Sequence, residues 1–109
     1  MASEAMIALV VAADEPALFY SSVQRAEMEL EAIDVRNGVY PIAYDTSGQV
    51  FSVEAIGDRV RIVPVAGLSP QPDQLRDLLL LYLSASGFCD IGADEALESL
   101  LIRCTSAVK

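Results

Sequence analysis

The spacing of apolar residues changes three times along the chain, and each change predicts a different element. Val23, Ala26, Leu30 and Ile33 recur at intervals of three and four, which predicts one helix from Ser21 to Asp34 with a single apolar stripe. Ser21 with Gln24 three positions later reads as a capping box at its start. Glu27, Glu31 and Asp34 recur at the same helical spacing and would share the opposite, solvent-facing side. The period then drops to two. In Val39–Asp45, Tyr40, Ile42 and Tyr44 fall on one face. In Gln49–Ala55, Phe51, Val53 and Ala55 do, and in Arg59–Val63, Val60 and Ile62 point inward with both arginines outward, opposite Glu54. Asp45-Thr46-Ser47-Gly48 and Gly57-Asp58 supply turn chemistry between these strands. Pro41 cannot donate to a ladder, so its strand should lie at a sheet edge or turn Pro41 to the free side. Helical spacing returns at 72–85, where Pro72 suits a first turn and Leu75, Leu78, Leu79, Tyr82 and Leu83 make a wide apolar face. A third helix, Ala93–Arg103, would carry Asp94 and Glu95 in its first turn and Ala96, Leu97, Leu100 and Leu101 as its stripe. Ser106–Lys109 reads as a tail.

Two segments near the N-terminus are less determined. Met6–Ala13 is apolar throughout and reads equally as a buried strand or a short helix. Leu18–Tyr20 suits a short strand. Either would add a fourth strand to the predicted three-stranded meander. The pattern therefore predicts an α+β fold, with an antiparallel sheet of three to five strands packed against about three helices. A length of 109 residues fits one domain, 1–109.

Sixteen acidic against seven basic residues give a formal charge of −9, and there is no histidine. Such a surface repels phosphate backbones, so nucleic acid is not an expected partner. Met6–Ala13 falls far short of a bilayer span, and no basic residue precedes it as a signal peptide would require. No membrane association is expected, and the cytoplasm is the expected compartment, with Cys89 and Cys104 reduced and buried in the core. Without histidine there is no Ser-His or Cys-His nucleophile and no zinc pattern. No phosphate-cradling loop or calcium-loop spacing is present. Carboxylate pairs such as Asp73/Asp77 and Asp94/Glu98 have ordinary helix-surface spacing. The expectation is a protein with no enzymatic activity, no catalytic residue, no metal and no cofactor.

The run Ser-Val-Gln-Arg-Ala-Glu-Met-Glu-Leu-Glu-Ala-Ile-Asp-Val-Arg-Asn-Gly-Val-Tyr, followed by Ala-Tyr-Asp-Thr-Ser-Gly-Gln, resembles small bacterial immunity proteins. These are encoded beside polymorphic toxins, including Rhs-type and type VI secretion effectors. The likeness spans roughly residues 17–85. It implies a non-enzymatic inhibitor that binds a cognate toxin domain, one-to-one rather than as a homodimer, and protects the producing cell. An acidic, compact surface would suit a basic toxin cleft. The candidate contact residues are Glu27, Glu31 and Asp34 on the first helix, Asp45 and Glu54 on the hairpin, and Tyr44 as an aromatic anchor. Glu27 and Glu31 would repel each other four residues apart, and acids at a helix C-terminus oppose its dipole. An unfavourable face kept despite that cost points to a partner, so reversing these three acids should weaken binding and leave folding nearly intact. The competing classes are an adaptor or secretion chaperone, and a homodimeric structural module built on the leucine-rich helix.

Overall fold

The computed structural model describes residues 6–88, 91–92 and 94–109. Strands β1 (Leu9–Ala12) and β2 (Ala17–Tyr20) are followed by helices α1 (Val23–Glu29) and α2 (Ala32–Arg36). Strands β3 (Ala43–Tyr44), β4 (Val50–Ile56) and β5 (Arg59–Pro64) come next, then helices α3 (Pro72–Ala85) and α4 (Leu97–Arg103). The five strands form one sheet in the order β2-β1-β3-β4-β5, with every neighbouring pair antiparallel. The fold is α+β. Both N-terminal segments enter the sheet, and Met6–Ala13 contributes the interior strand β1 between β2 and β3.

Side-chain alternation divides the core into two layers. Val10, Phe19, Tyr44 and Val50 face α3 and α4 with Leu75, Leu79, Leu83 and Leu100. Leu9, Val11, Tyr20, Ala43, Val60 and Ile62 face the other way, with Ala26, Leu30 and Ala32 of the α1–α2 segment. Because β1 is covered on both faces, Leu9, Val10 and Val11 are all fully buried. A strand covered on both sides has no polar alternation, so its apolar run carried no period to distinguish it from a helix.

Several expectations are corrected. The first helix is broken: Leu30 and Glu31 are extended, with ψ of 144° and 136°, and a second helix begins at Ala32. Its cap is Ser22, whose hydroxyl accepts from the Arg25 N–H at 3.0 Å, one position after Ser21. The break turns Ile33 outward, away from the stripe it was assigned to. Pro41 lies outside the short central strand β3, so it marks no edge, and Tyr40 packs with the α1–α2 layer while Ile42 and Tyr44 pack with the α3–α4 layer. The third helix begins at Leu97, with Asp94 and Glu95 ahead of it; Ala93 and Cys89 lie outside the described residues, and Cys104 is buried. The C-terminal tail is docked: Lys109 N–H donates to the Phe19 carbonyl at 2.9 Å, and Ser21 N–H donates to the Lys109 carbonyl at 3.1 Å.

Those bonds occupy the β2 edge. At the opposite edge, Ile62 N–H points away from β4 and donates to Glu27 Oε2 at 2.7 Å. In an antiparallel ladder alternate residues share that direction, so the next position of the same parity is Pro64, which has no N–H to expose. Edge strands with free donors recruit other strands, and here one donor is taken by a carboxylate and another is absent.

Candidate interaction surface

Six carboxylate or tyrosine side chains were candidates, and the fold distributes them over three regions. Glu27 is committed to the β5 edge. Asp45 sits in the β3–β4 turn, where Oδ1 accepts from Ser47 N–H at 2.9 Å, Ser47 Oγ–H at 2.6 Å and Gln49 N–H at 3.0 Å. It is an Asx turn that orders its own loop. Tyr44 is 5% exposed, with its ring in the α3–α4 layer and its hydroxyl donating to Gln74 Oε1 at 3.0 Å. A partner cannot reach that ring, so the anchor role does not fit its position. Burial pushes its hydroxyl above the ordinary tyrosine value. Glu54 is exposed on β4 directly across from Arg61, and it accepts from Ser52 Oγ–H at 3.2 Å. By strand alternation from Val53 it points to the opposite side of the sheet from α1 and α2.

Glu31 and Asp34 do remain together. The broken helix changes the meaning of their charge. Asp34 lies in the first turn of α2 and Glu31 is its N-cap, so both are near the positive end of a helix dipole and are favoured there. Glu31 is no longer in the same helix as Glu27, and the repulsion expected four residues apart along one helix does not apply. The acids of this segment need no partner to explain their presence.

The break also builds a surface. Between the α1–α2 segment and the β4–β5 turn runs an open groove lined by Glu27, Met28, Leu30, Asp58, Arg59 and Val60. It continues along Leu30 and Asp58 to Glu31, Ile33 and Arg36. Its floor is fixed, because Leu30 and Val60 are buried and an Arg36 guanidinium N–H donates to the Gly57 carbonyl at the hairpin turn. Met28 and Ile33 stand beside it at 81% and 61% exposed.

Next to the groove, the chain gathers charge. Val39 N–H bonds to the Asp34 carbonyl at 3.0 Å, and Ala12 N–H to the Ile42 carbonyl at 2.9 Å. These bonds bring the segment leading into β3 beside both α2 and the β1–β2 turn. Tyr40 sits there, partly buried. Burial first, and then the carboxylates of Asp34, Glu15, Glu31 and Asp14, raise its hydroxyl above the ordinary value. Tyr20 behind it is pushed up to about 12, again mainly by burial, with Glu29 adding to the effect.

Met28, Ile33, Asp14, Glu15 and Asp58 were not singled out from sequence as contact residues. Asp14-Glu15-Pro16 reads only as a turn, and its closeness to Asp34 depends on a crossover between distant segments. Among the described residues, no group of three Cys, Asp or Glu is placed to hold a metal ion. No helix among them is long and apolar enough to cross a membrane. No protein-family model, curated protein or solved structure matches the chain.

Proposed function

We propose that this chain is a non-enzymatic immunity-type protein that binds a cognate bacterial toxin domain in the cytoplasm and blocks its active cleft. The observation that carries the reading is the groove beside α1 and α2, where two large apolar side chains stand in solvent next to a carboxylate-rich surface. Exposed apolar groups adjoining concentrated charge are the makings of a recognition surface. The sequence likeness to immunity proteins and the charge of −9 favour a basic protein partner, since opposite charge speeds encounter and selects partners. The leucine-rich helix gives less support to a homodimer: Leu75, Leu79 and Leu83 are spent inside the fold, and Leu81 is the large exposed leucine on it.

The test is co-expression with the product of the adjacent gene. The reading predicts that the neighbour alone arrests growth, that this chain restores it, and that the two co-purify in equal amounts. A neighbour that is a component of a secretion apparatus, bound without any growth effect, would favour the adaptor or chaperone class.

A further inference from the structure

We infer that the groove between the α1–α2 segment and the β4–β5 turn receives a lysine- or arginine-bearing segment of the partner protein that also inserts an apolar side chain. This deepens the binding role proposed above and rests on it. The apolar part of the argument is Met28 and Ile33. Both belong to short helical segments whose other apolar residues, Ala26, Leu30 and Ala32, are packed into the core, so these two are not the overflow of a poorly covered helix. A methionine at the mouth of a groove adapts its shape to an incoming side chain.

The groove is also held in place before anything binds. The Glu27–Ile62 bond ties α1 to β5, and the Arg36–Gly57 bond ties α2 to the hairpin turn. A fixed surface loses little conformational freedom on association.

Charge selects the occupant. Glu31 and Asp58 at the rim are exposed, and neither makes a side-chain hydrogen bond or ion pair with the described residues. Two arginines share the groove with these acids: Arg36 is already directed at the Gly57 carbonyl, and Arg59 follows Asp58 in the lining. Beyond Glu31 lie Asp34, Glu15 and Asp14 around Tyr40. A guanidinium or ammonium arriving there would find carboxylates and an aromatic ring together. A second copy of this chain would bring another −9 and a nucleic acid would bring phosphates, and both are repelled.

The test uses synthetic peptides of about a dozen alternating lysine and leucine residues, long enough to cross a groove of this kind. Parallel peptides carry glutamate or serine in place of lysine. Binding is followed by amide chemical shifts across the protein and by titration at low and high salt. The lysine peptide should shift residues 24–36 and 57–60, and the glutamate peptide should not bind. Met28→Ser with Ile33→Ser should weaken the lysine peptide about tenfold or more. Glu31→Gln with Asp58→Asn should weaken it several-fold and flatten its salt dependence. Leu81→Ser with Ile102→Ser, on the other layer of the fold, should change nothing. Shifts spread over several faces, or equal binding of the glutamate peptide, would overturn the assignment. So would self-association of the free protein that Met28→Ser with Ile33→Ser abolishes, because it would make a second copy the occupant. The peptide assay contains no toxin. A neighbour protein that binds normally to the Met28→Ser/Ile33→Ser variant defeats the groove and leaves the inhibitor reading intact. Peptide binding without any effect on the neighbour defeats the inhibitor reading alone.

Discussion

Replacing Glu27 by alanine should loosen the β5 edge while leaving the core intact. The carboxylate accepts a backbone N–H at 2.7 Å in a partly buried setting. A hydrogen bond to a charged group is worth about 1.5–3 kcal/mol. The groove beside it is open, so water can reach Ile62 N–H in the variant, which places the loss near the lower end. Alanine returns a few tenths of a kcal/mol through helix propensity. The net cost is then about 1.5 kcal/mol, or a fall in Tm of roughly 6–10 °C for a domain of this size. Glu27→Gln keeps an acceptor oxygen and should lose about half as much. Glu27→Lys removes the acceptor and should cost more than alanine, so reversing Glu27, Glu31 and Asp34 together would not spare folding as the sequence pattern implied. Glu31→Ala, exposed and without a side-chain cap bond, should stay within about 0.5 kcal/mol of the parent. Thermal melts of the four variants, with hydrogen exchange at the Ile62 amide, decide the matter. A Glu27→Ala melt within about 2 °C of the parent, with Ile62 exchange unchanged, would refute the claim that this carboxylate secures the edge.

Gly48→Ala should be severe, costing about 3 kcal/mol or more: φ is +90°, and a Cβ there would lie 2.5 Å from the Pro72 nitrogen and 2.7 Å from its Cα. Gly57→Ala, also at positive φ but with no atom near its Cβ, should cost only about 1 kcal/mol, and chemical denaturation compares the two. Tyr44→Phe should lose about 1 kcal/mol with the Gln74 bond and leave partner affinity unchanged, as a titration against the purified partner would show. Hydrogen bonds from Arg103 and then Ser99 lower the Glu95 carboxyl from its ordinary 4.5 to about 2. A depressed carboxyl stabilises the fold above its ordinary value, and that contribution is lost as pH falls from about 4.5 towards 2. Arg103→Met should therefore raise the Glu95 titration midpoint in carboxyl NMR and flatten the acid end of the stability profile.

Much of the fold was legible because it depends on local chemistry. The helix at 72–85, the turns at Gly48 and Gly57 and the inward faces of β4 and β5 follow from periodicity and from residues that tolerate positive φ. The break at Leu30–Glu31 was not legible, because Val23 to Ile33 keep helical spacing straight through it. The segment follows the sheet instead: Ala26, Leu30 and Ala32 all reach the same layer only if the chain kinks, so tertiary packing overrides propensity. That one departure moved Ile33 outward, separated Glu31 from Glu27 and placed Asp34 at a favourable helix end. The contact surface was partly legible: Glu31 and Asp34 border the groove region, but Tyr44 and Asp45 proved to be a core ring and a turn brace. A side chain's type and spacing do not show which backbone N–H it will meet after folding.

The central claim is tested most directly by calorimetric titration of the purified adjacent-gene protein into this chain and its Met28→Ser/Ile33→Ser variant. The account predicts a one-to-one complex of submicromolar affinity, roughly −8 kcal/mol or stronger, weakened by salt and weakened about tenfold or more in the variant. No detectable binding by the parent chain would contradict the inhibitor reading, and equal affinity for parent and folded variant would contradict the surface through which it is proposed to act.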